Sequence, residues 1–394
     1  MLKELGLDWA DDEGRYIQFD YENFSITCDT LDSMKFILVR KPPKDYVMTP
    51  LQIALRKTIF EEVSGAIYID APDNKSGKKH STHTSKFPAF DSYTGASVFW
   101  DRPEVQDGIY HRDSLNFTLD PFVLDSLEDF DETALSFAGE FYSSEIFPRF
   151  RQSLVVMNDY SLGFRDTTPA NGYYVYDNEG IYYDEIFIDG SSLWGRGTLE
   201  VLDSDVEVKS DSFIFHFDST MAVIRDFHRD RGFRKGAYYP EVDASQAEFV
   251  WYNKEGTVKL RSLDEPIRIF GGEGEFDGAL TIREDGMIGN GVMTVGQIRI
   301  EDDSIMFNEM DFFADDSRFV IIDDDDPTQF HFVAEQVHVD YDIYSHSTIF
   351  ETKEVGKALA YFPLHHYRTS MSKGTYTRES NELKMEGVSS YVRD

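Results

Sequence analysis

One cysteine, Cys28, is all that the 394-residue sequence holds. A single thiol excludes an intramolecular disulfide and any zinc cluster built from cysteines, and it leaves the redox compartment open. Its setting, FSITCDT, alternates as a strand does, so Cys28 reads as a small buried hydrophobe and not as a nucleophile. Positive charge is scarce too: 38 Lys and Arg face 73 Asp and Glu, a net charge of −35. Such a field repels phosphate backbones and anionic lipid, which makes nucleic acid and membrane surfaces poor partners. No run approaches the ~18 apolar residues of a membrane-spanning helix. The opening MLKELGLDWADDEG lacks the basic-then-apolar order of a signal peptide. The chain therefore reads as cytosolic or as an excised piece of something longer.

Catalytic signatures are missing as well. The sequence has no GxSxG elbow, HExxH pair, Walker loop or kinase set. Helix signals are few. TPLQIALRKTI is the best of them, with Thr49 as N-cap, Pro50 at the first helical position, and Leu51, Leu55 and Ile59 on one face. A second short helix is expected from Asp125 in DSLEDFDE, with Leu127 and Phe130 as its apolar contacts.

What is abundant is strand pattern. Hydrophobic residues make up 41% and aromatics 15%, enough to fold a chain that is 28% charged. Apolar residues alternate at period two in LNFTLD (Leu115, Phe117, Leu119), in FIFHF (Phe213, Phe215, Phe217) and from Val337 through Val339 and Tyr341 to Ile343. Each such strand buries one face and wets the other. The polar stretch within 64–90, with Lys75, Lys78, Lys79, His80 and His83, reads as a solvated loop, and RDTTPANGYY marks a second break at 165–174.

SLWGRGTLEV recurs in outline as GMIGNGVMTV, so that Gly195 and Gly197 fall on Gly289 and Gly291. Ile186 and Ile188 match Leu280 and Ile282, Leu199 and Val201 match Met293 and Val295, and Val206 matches Ile300, all without a gap. DSFIF then aligns with DSIMF once two residues are dropped. Two copies of about three strands, near 180–220 and 274–317, are thus expected to fold alike. A third echo, GEFYSSEIF from Gly139, is short. Both GxG pairs run into another strand rather than a helix, which excludes a phosphate cradle and makes the glycines architectural. Stacked units of this kind bury their faces against their neighbours.

The runs YIDAPDNKSGKK, GASVFWDRPEVQDGIYHRDSLNFTLDPFVLDSLEDF, LSFAGEFYSSEIFPRF, SLWGRGTLEVLDSD and FPLHHYRTSMSKG resemble very large, uncharacterised cell-envelope proteins of Bacteroidota, over about residues 45 to 385. The resemblance implies a central fragment of a longer chain, placed in the periplasm or at the cell surface, whose partners are other segments of that chain or other envelope proteins. It brings no functional residues with it.

The expected fold is mostly β: an elongated stacked-sheet or solenoid-like array with one or two short helices in the first third, or alternatively tandem β-sandwiches. The expected division is 1–65, a β segment with a short helix; 66–170, a β module; and 171–394, the repeat-containing region. Asp323 to Asp326, in FVIIDDDDPTQF, crowd four carboxylates onto one turn. Asp323 and Asp325 are the calcium candidates there, although EF-hand spacing is absent. The histidine pairs His80 with His83 and His365 with His366 present ligands poorly, the second because strand neighbours point to opposite faces. Trp100, Trp194 and Trp251 could stack on sugars, but at strand spacing they read first as core. The reading leans to a non-enzymatic structural or scaffold region, with a carbohydrate-active or carbohydrate-binding module and a lipid-conduit groove as alternatives.

Overall fold

The computed structural model of the protein describes residues 17–37, 49–55, 57–71, 73–74, 87–125, 127, 135–323, 326–352, 358–388 and 391–393. The chain is mostly β, 62% strand and 4% helical, with a large antiparallel sheet that does not close into a barrel. It divides into two compact units. One comprises Met1–Asp177, Asp184–Gly195 and Phe215–Phe217; the other comprises Asn178–Tyr183, Arg196–Ile214 and Asp218–Asp394.

The first unit is an antiparallel meander. Ile17–Asp20 pairs with Ser25–Ile37, and that strand with Lys57–Tyr68. Lys57–Tyr68 carries two short strands along its length, Ala89–Ser92 and Ala96–Phe99, which in turn carry Val123–Leu124 and Asn116–Leu119. Ser136–Tyr142, Phe150–Val156, Leu162–Thr167 and the 185–188 end of Gly180–Ile188 complete the order. Its core is aromatic: Phe60, Phe122 and Phe137 meet edge to face at 5.1 to 5.7 Å, and Phe164 packs between Phe141 and Phe150. Cys28 and Trp100 are buried, as the alternation predicts.

The helix is shorter than its periodicity implies. Pro50–Leu55 is helical, but Lys57 already pairs with Ile37, so Ile59 lies in a strand. Ladder hydrogen bonds and β-branched Thr58 and Ile59 outcompete one more helical turn. Most of the second expected helix, including Phe130, lies outside the described residues, as do Lys75, Lys78, Lys79, His80 and His83.

Tyr110 shows how this core handles a polar tip. Its side chain is 3% exposed, and its hydroxyl donates to Phe215 O (2.8 Å), accepts from Leu193 N (3.3 Å) and lies 2.8 Å from Ser192 Oγ. Burial pushes its pKa up to about 12. The folded value exceeds the ordinary one, so this stabilisation is complete below pH 10 and is lost as the pH rises toward 12. A rise of that size corresponds to about 2–3 kcal/mol. Tyr110→Phe should therefore flatten the fall in stability across that window, read by denaturant melts at stepped pH.

The second unit repeats one device along its whole length. Its strands pair antiparallel in the order Ser219–Arg229, then Val242–Ala244 with Glu248–Tyr252, then Ile267–Ile269 with Thr257–Arg261. Gly274–Arg283, Gly286–Val295, Ile298–Phe307, Asp311–Ile322 and Phe330–Asp342 follow. Ala358–Phe362 with Ser347–Thr352, Tyr367–Met371 with Lys373–Thr377, and Tyr391–Arg393 with Glu382–Glu386 end the order. Each layer is either one long strand bent near its middle or two short strands in line.

The bend has a readable chemistry. In Ile298–Phe307 the buried residues are even-numbered at 298 and 300 but odd-numbered at 305 and 307; in Asp311–Ile322 the parity changes at exposed Asp315 and Asp316; in Phe330–Asp342 it changes at Glu335 and Gln336. One extra residue turns the inward face over, as a β-bulge does. Register shifts fall at these places, and Gln336 has a φ of 56°. Short polar side chains then satisfy the N–H groups that leave the ladder. Asp302 accepts from Ser304 N (2.7 Å), Asp316 N (3.1 Å) and Ser317 Oγ (2.8 Å). Ser262 Oγ accepts from Gly278 N (2.9 Å) and donates to Asp277 (2.7 Å).

Aligned bends fold the sheet into two leaves that face each other. Phe319 in one leaf stacks on Phe350 in the other at 4.5 Å, and Phe332 reaches Phe350 at 5.6 Å. Opposite the bend the leaves meet again. Tyr376 Oη donates to Gln297 Oε1 (2.6 Å), Tyr239 Oη to Arg283 O (2.5 Å), and the Phe270 ring touches Phe307 and Phe312. The space between the leaves is filled: Phe276, Leu280, Met293, Ile300, Ile305, Phe319 and Phe350 are each fully buried or nearly so.

Candidate functional site

The two sequence copies adopt one strand plan. Gly180–Ile188, Leu193–Val201 and Val206–Phe215 correspond to Gly274–Arg283, Gly286–Val295 and Ile298–Phe307. The two-residue gap is a turn that comes before Val206 and not after it: four residues, 202–205, link the later strands in the first copy, where Gly296 and Gln297 suffice in the second, so Val206 falls on Ile298 and the expected match with Ile300 is displaced by two residues. The third echo does not share the plan, because Gly139 sits mid-strand in Ser136–Tyr142 whereas Gly274 opens its strand.

Gly197 and Gly291 share a backbone φ, 155° and 152°. Gly291 sits on the bend opposite Gly278, and a Cβ there would lie 2.3 Å from Asp277 O and 2.8 Å from Gly278 Cα. Gly289 gives room instead of torsion, since a Cβ would strike the rings of Phe276 (2.7 Å) and Phe307 (2.8 Å). Gly195, its counterpart, is buried in Leu193–Val201. Gly291 thus holds backbone against backbone, and Gly289 holds rings against backbone.

At the acidic turn, Asp323 and Asp326 are engaged with their neighbours. Asp323 Oδ1 accepts from Asp326 N (3.1 Å), and Asp323 Oδ2 is 3.0 Å from His331 Nε2. Asp326 accepts from Thr328 Oγ1 (2.6 Å) and Gln329 Nε2 (2.9 Å), and the Thr328 hydrogen bond leads in holding its carboxyl below the usual range. Asp325, the other calcium candidate, lies outside the described residues. Among the described residues, no three His, Cys, Asp or Glu side chains are arranged to hold a metal ion. A calcium ion at this turn would have to displace hydrogen bonds already made. Calorimetric titration at about 1 mM calcium should therefore give no saturable heat. Saturable binding that disappears in an Asp323→Asn, Asp325→Asn double variant would place the ion here.

His365 and His366 depart from the strand expected of them. Pro363–His365 is a 3-10 turn and His366 has a φ of 48°, so both lie exposed at a hairpin tip. Trp251 is core, while half-buried Trp194 stacks on Phe187 and its Nε1 is 3.2 Å from Asp189 Oδ1. Two histidines hold carboxylates in a way the sequence half concealed, since one partner of each, Asp243 and Asp315, comes from a neighbouring strand. His228 lies 2.8 Å from Asp243 and 3.3 Å from Asp230, and His338 lies 2.8 Å from Asp315 and 3.2 Å from Asp340. The Asp243 hydrogen bond leads in raising the His228 pKa. With both ring nitrogens turned to carboxylates, neither imidazole has one free to take a proton from a hydroxyl, so these are surface hydrogen-bonded clusters rather than catalytic dyads.

No protein-family profile matches the chain, no curated protein matches it, and no solved structure matches it. Among the described residues no helix is long and apolar enough to cross a membrane.

Proposed function

We propose that the chain is a non-enzymatic structural region of a large bacterial envelope protein, a β body that presents an acidic surface to other segments or proteins of the envelope. The observation that carries this reading is the interior of the second unit. The leaves are packed ring on ring at Phe319 and Phe350 and are joined opposite the bend at Tyr376 and Gln297, so a groove for lipid is occupied by the protein's own side chains. Polysaccharide binding is the second reading. It is favoured by one exposed aromatic pair, Phe233 and Tyr238, 4.7 Å apart on the two-stranded ribbon Gly232–Arg234 and Ala237–Tyr239.

The test is binding. The purified chain is offered a fluorescent fatty acid, phospholipid vesicles and a panel of immobilised polysaccharides. The structural reading expects no saturable uptake of any of them. Retention by a polysaccharide that is lost in a Phe233→Ala, Tyr238→Ala variant would replace it with the second reading, and stoichiometric lipid uptake would replace it with a conduit.

A further inference from the structure

The inward row nearest the seam, where the leaves of the second unit meet opposite the bend, is aromatic with one exception. Cross-strand pairs run from Phe307 to Phe312, Phe312 to Tyr341, Tyr341 to Thr348 and Thr348 to Tyr376. Phe307 and Phe312 lie 5.9 Å apart and Phe312 stacks on Tyr341 at 5.2 Å, so each of these ladder steps is filled by a ring. At the next step the row holds a threonine. Tyr341 and Tyr376 stand two ladder steps apart, roughly 10 Å, and the short side chain of Thr348 leaves room between them of the kind a ring takes elsewhere in the row. The polar atoms facing that room are shut off from solvent. Thr348 and Tyr341 are 0% and 1% exposed, and among the described residues Thr348 Oγ1, Tyr341 Oη and His346 Nδ1 make no hydrogen bond of good geometry. His346 Nδ1 is 3.8 Å from Glu273 Oε2. Arg378 N donates to His346 O (3.1 Å), and the Arg378 guanidinium lies on Gly296 of the facing leaf, where a Cβ would fall 2.5 Å from its Nε. Burial pushes the Tyr341 pKa up to about 12, with Arg378 lowering it and Glu273 raising it, so both charges stand beside that hydroxyl.

We propose that the space between Tyr341 and Tyr376 is a binding site for a buried water, held by Thr348 Oγ1, Tyr341 Oη and His346 Nδ1. Buried polar atoms in folded proteins are nearly all paired, and one left unpaired carries the full cost of its desolvation. Room beside several polar atoms is the condition under which an interior holds water, whereas an apolar space stays dry. The chemistry selects the ligand. A hydroxyl donates or accepts, and an imidazole nitrogen does either according to its tautomer, so one small molecule that both donates and accepts satisfies all three. An anion there meets the Glu273 carboxylate and a cation meets the Arg378 guanidinium, which leaves a neutral ligand. The burial of Thr348 and Tyr341 confines its size to that of water. The bound water completes the closure of the leaves beside the direct bond from Tyr376 to Gln297.

The experiment counts long-lived water and weighs the hydroxyl on the same variants. Magnetic relaxation dispersion of the water oxygen, measured on the full chain, reports waters held for longer than the molecule tumbles, and exchanging hydroxyl protons do not enter it. Thr348→Val keeps the shape of the side chain and removes its polar atom. With water bound, Thr348→Val and Tyr341→Phe should each lower the dispersion amplitude, and Thr348→Val should lower the denaturant midpoint, because the water loses a partner. Without water, the same change only removes an orphaned hydroxyl from the wall of the row, and the midpoint rises. Thr348→Ser keeps the hydroxyl and should keep the amplitude. An amplitude that is the same in the parent and in Thr348→Val, an amplitude lost in Thr348→Ser, or a Thr348→Val chain at least as stable as the parent would each overturn the proposal.

Discussion

Gly291→Val should destabilise the chain by roughly 3–5 kcal/mol, combining the strain of a side chain at a φ that L residues avoid with the overpacking of a closed site. The methyl positions have nowhere to go, since the obstacle is the backbone of 277 and 278 across the ladder and not a side chain that could swing away. Gly197→Val, at the same torsion in the first copy, should fall comparably. Gly232→Val is the control: nothing lies within 4 Å of its Cβ position, and its loss should stay within about 0.5 kcal/mol. Thermal and denaturant unfolding of the three variants would distinguish a role in the bend from a general intolerance of valine.

The second large effect is expected at the stacked rings. Phe350→Ala should cost about 3–5 kcal/mol, the range for emptying a large buried aromatic site, because its ring closes on Phe319 and Phe332 from the opposite leaf. The tip of the same ring lies against Gly374, where a Cβ would approach its Cζ to 2.1 Å. Gly374→Ala is therefore expected to be harmful in the parent and neutral or better in the Phe350→Ala background. That sign change marks direct coupling between neighbours, and a denaturant double-mutant cycle reads it.

The alternation of Phe213 with Phe215 and of Val337 with Val339 and Tyr341 announced one-sided burial, and those residues are core, whereas Phe217 lies past the strand's end and is half-buried while His216 is buried. The repeat was legible from Ile186 to Val201, where matching apolar positions fix the first two strands, but the match of Val206 with Ile300 put the gap on the wrong side of the turn, because alternating strands match equally well when slipped by two residues. The bend was not legible. A bulge is a relation between two strands, and Asp302 reveals its part only when Asp316 and Ser317 lie beside it. In the sequence the same residues are one more acidic pair among many. The glycines stood out by recurrence, yet nothing local distinguishes Gly291, which meets backbone, from Gly289, which meets rings. The acidic turn was visible as composition, while its internal partners Thr328, Gln329 and His331 follow from how the chain doubles back after Pro327.

The central claim is that one bent sheet forms both walls of a filled interior, and the distance between Phe319 and Phe350 tests it most directly. These rings sit on strands that do not pair with each other, and they approach only if the leaves face and close. In a deuterated chain with protonated phenylalanine rings, nuclear Overhauser spectra should show strong cross-peaks between Phe319 and Phe350, consistent with centroids 4.5 Å apart, and weaker ones from Phe332 to Phe350 at 5.6 Å. Phe350→Leu should remove both sets while leaving the remaining ring contacts in place. Assigned spectra without any Phe319 to Phe350 contact would mean that the leaves stand apart, and a filled, structural interior would be contradicted.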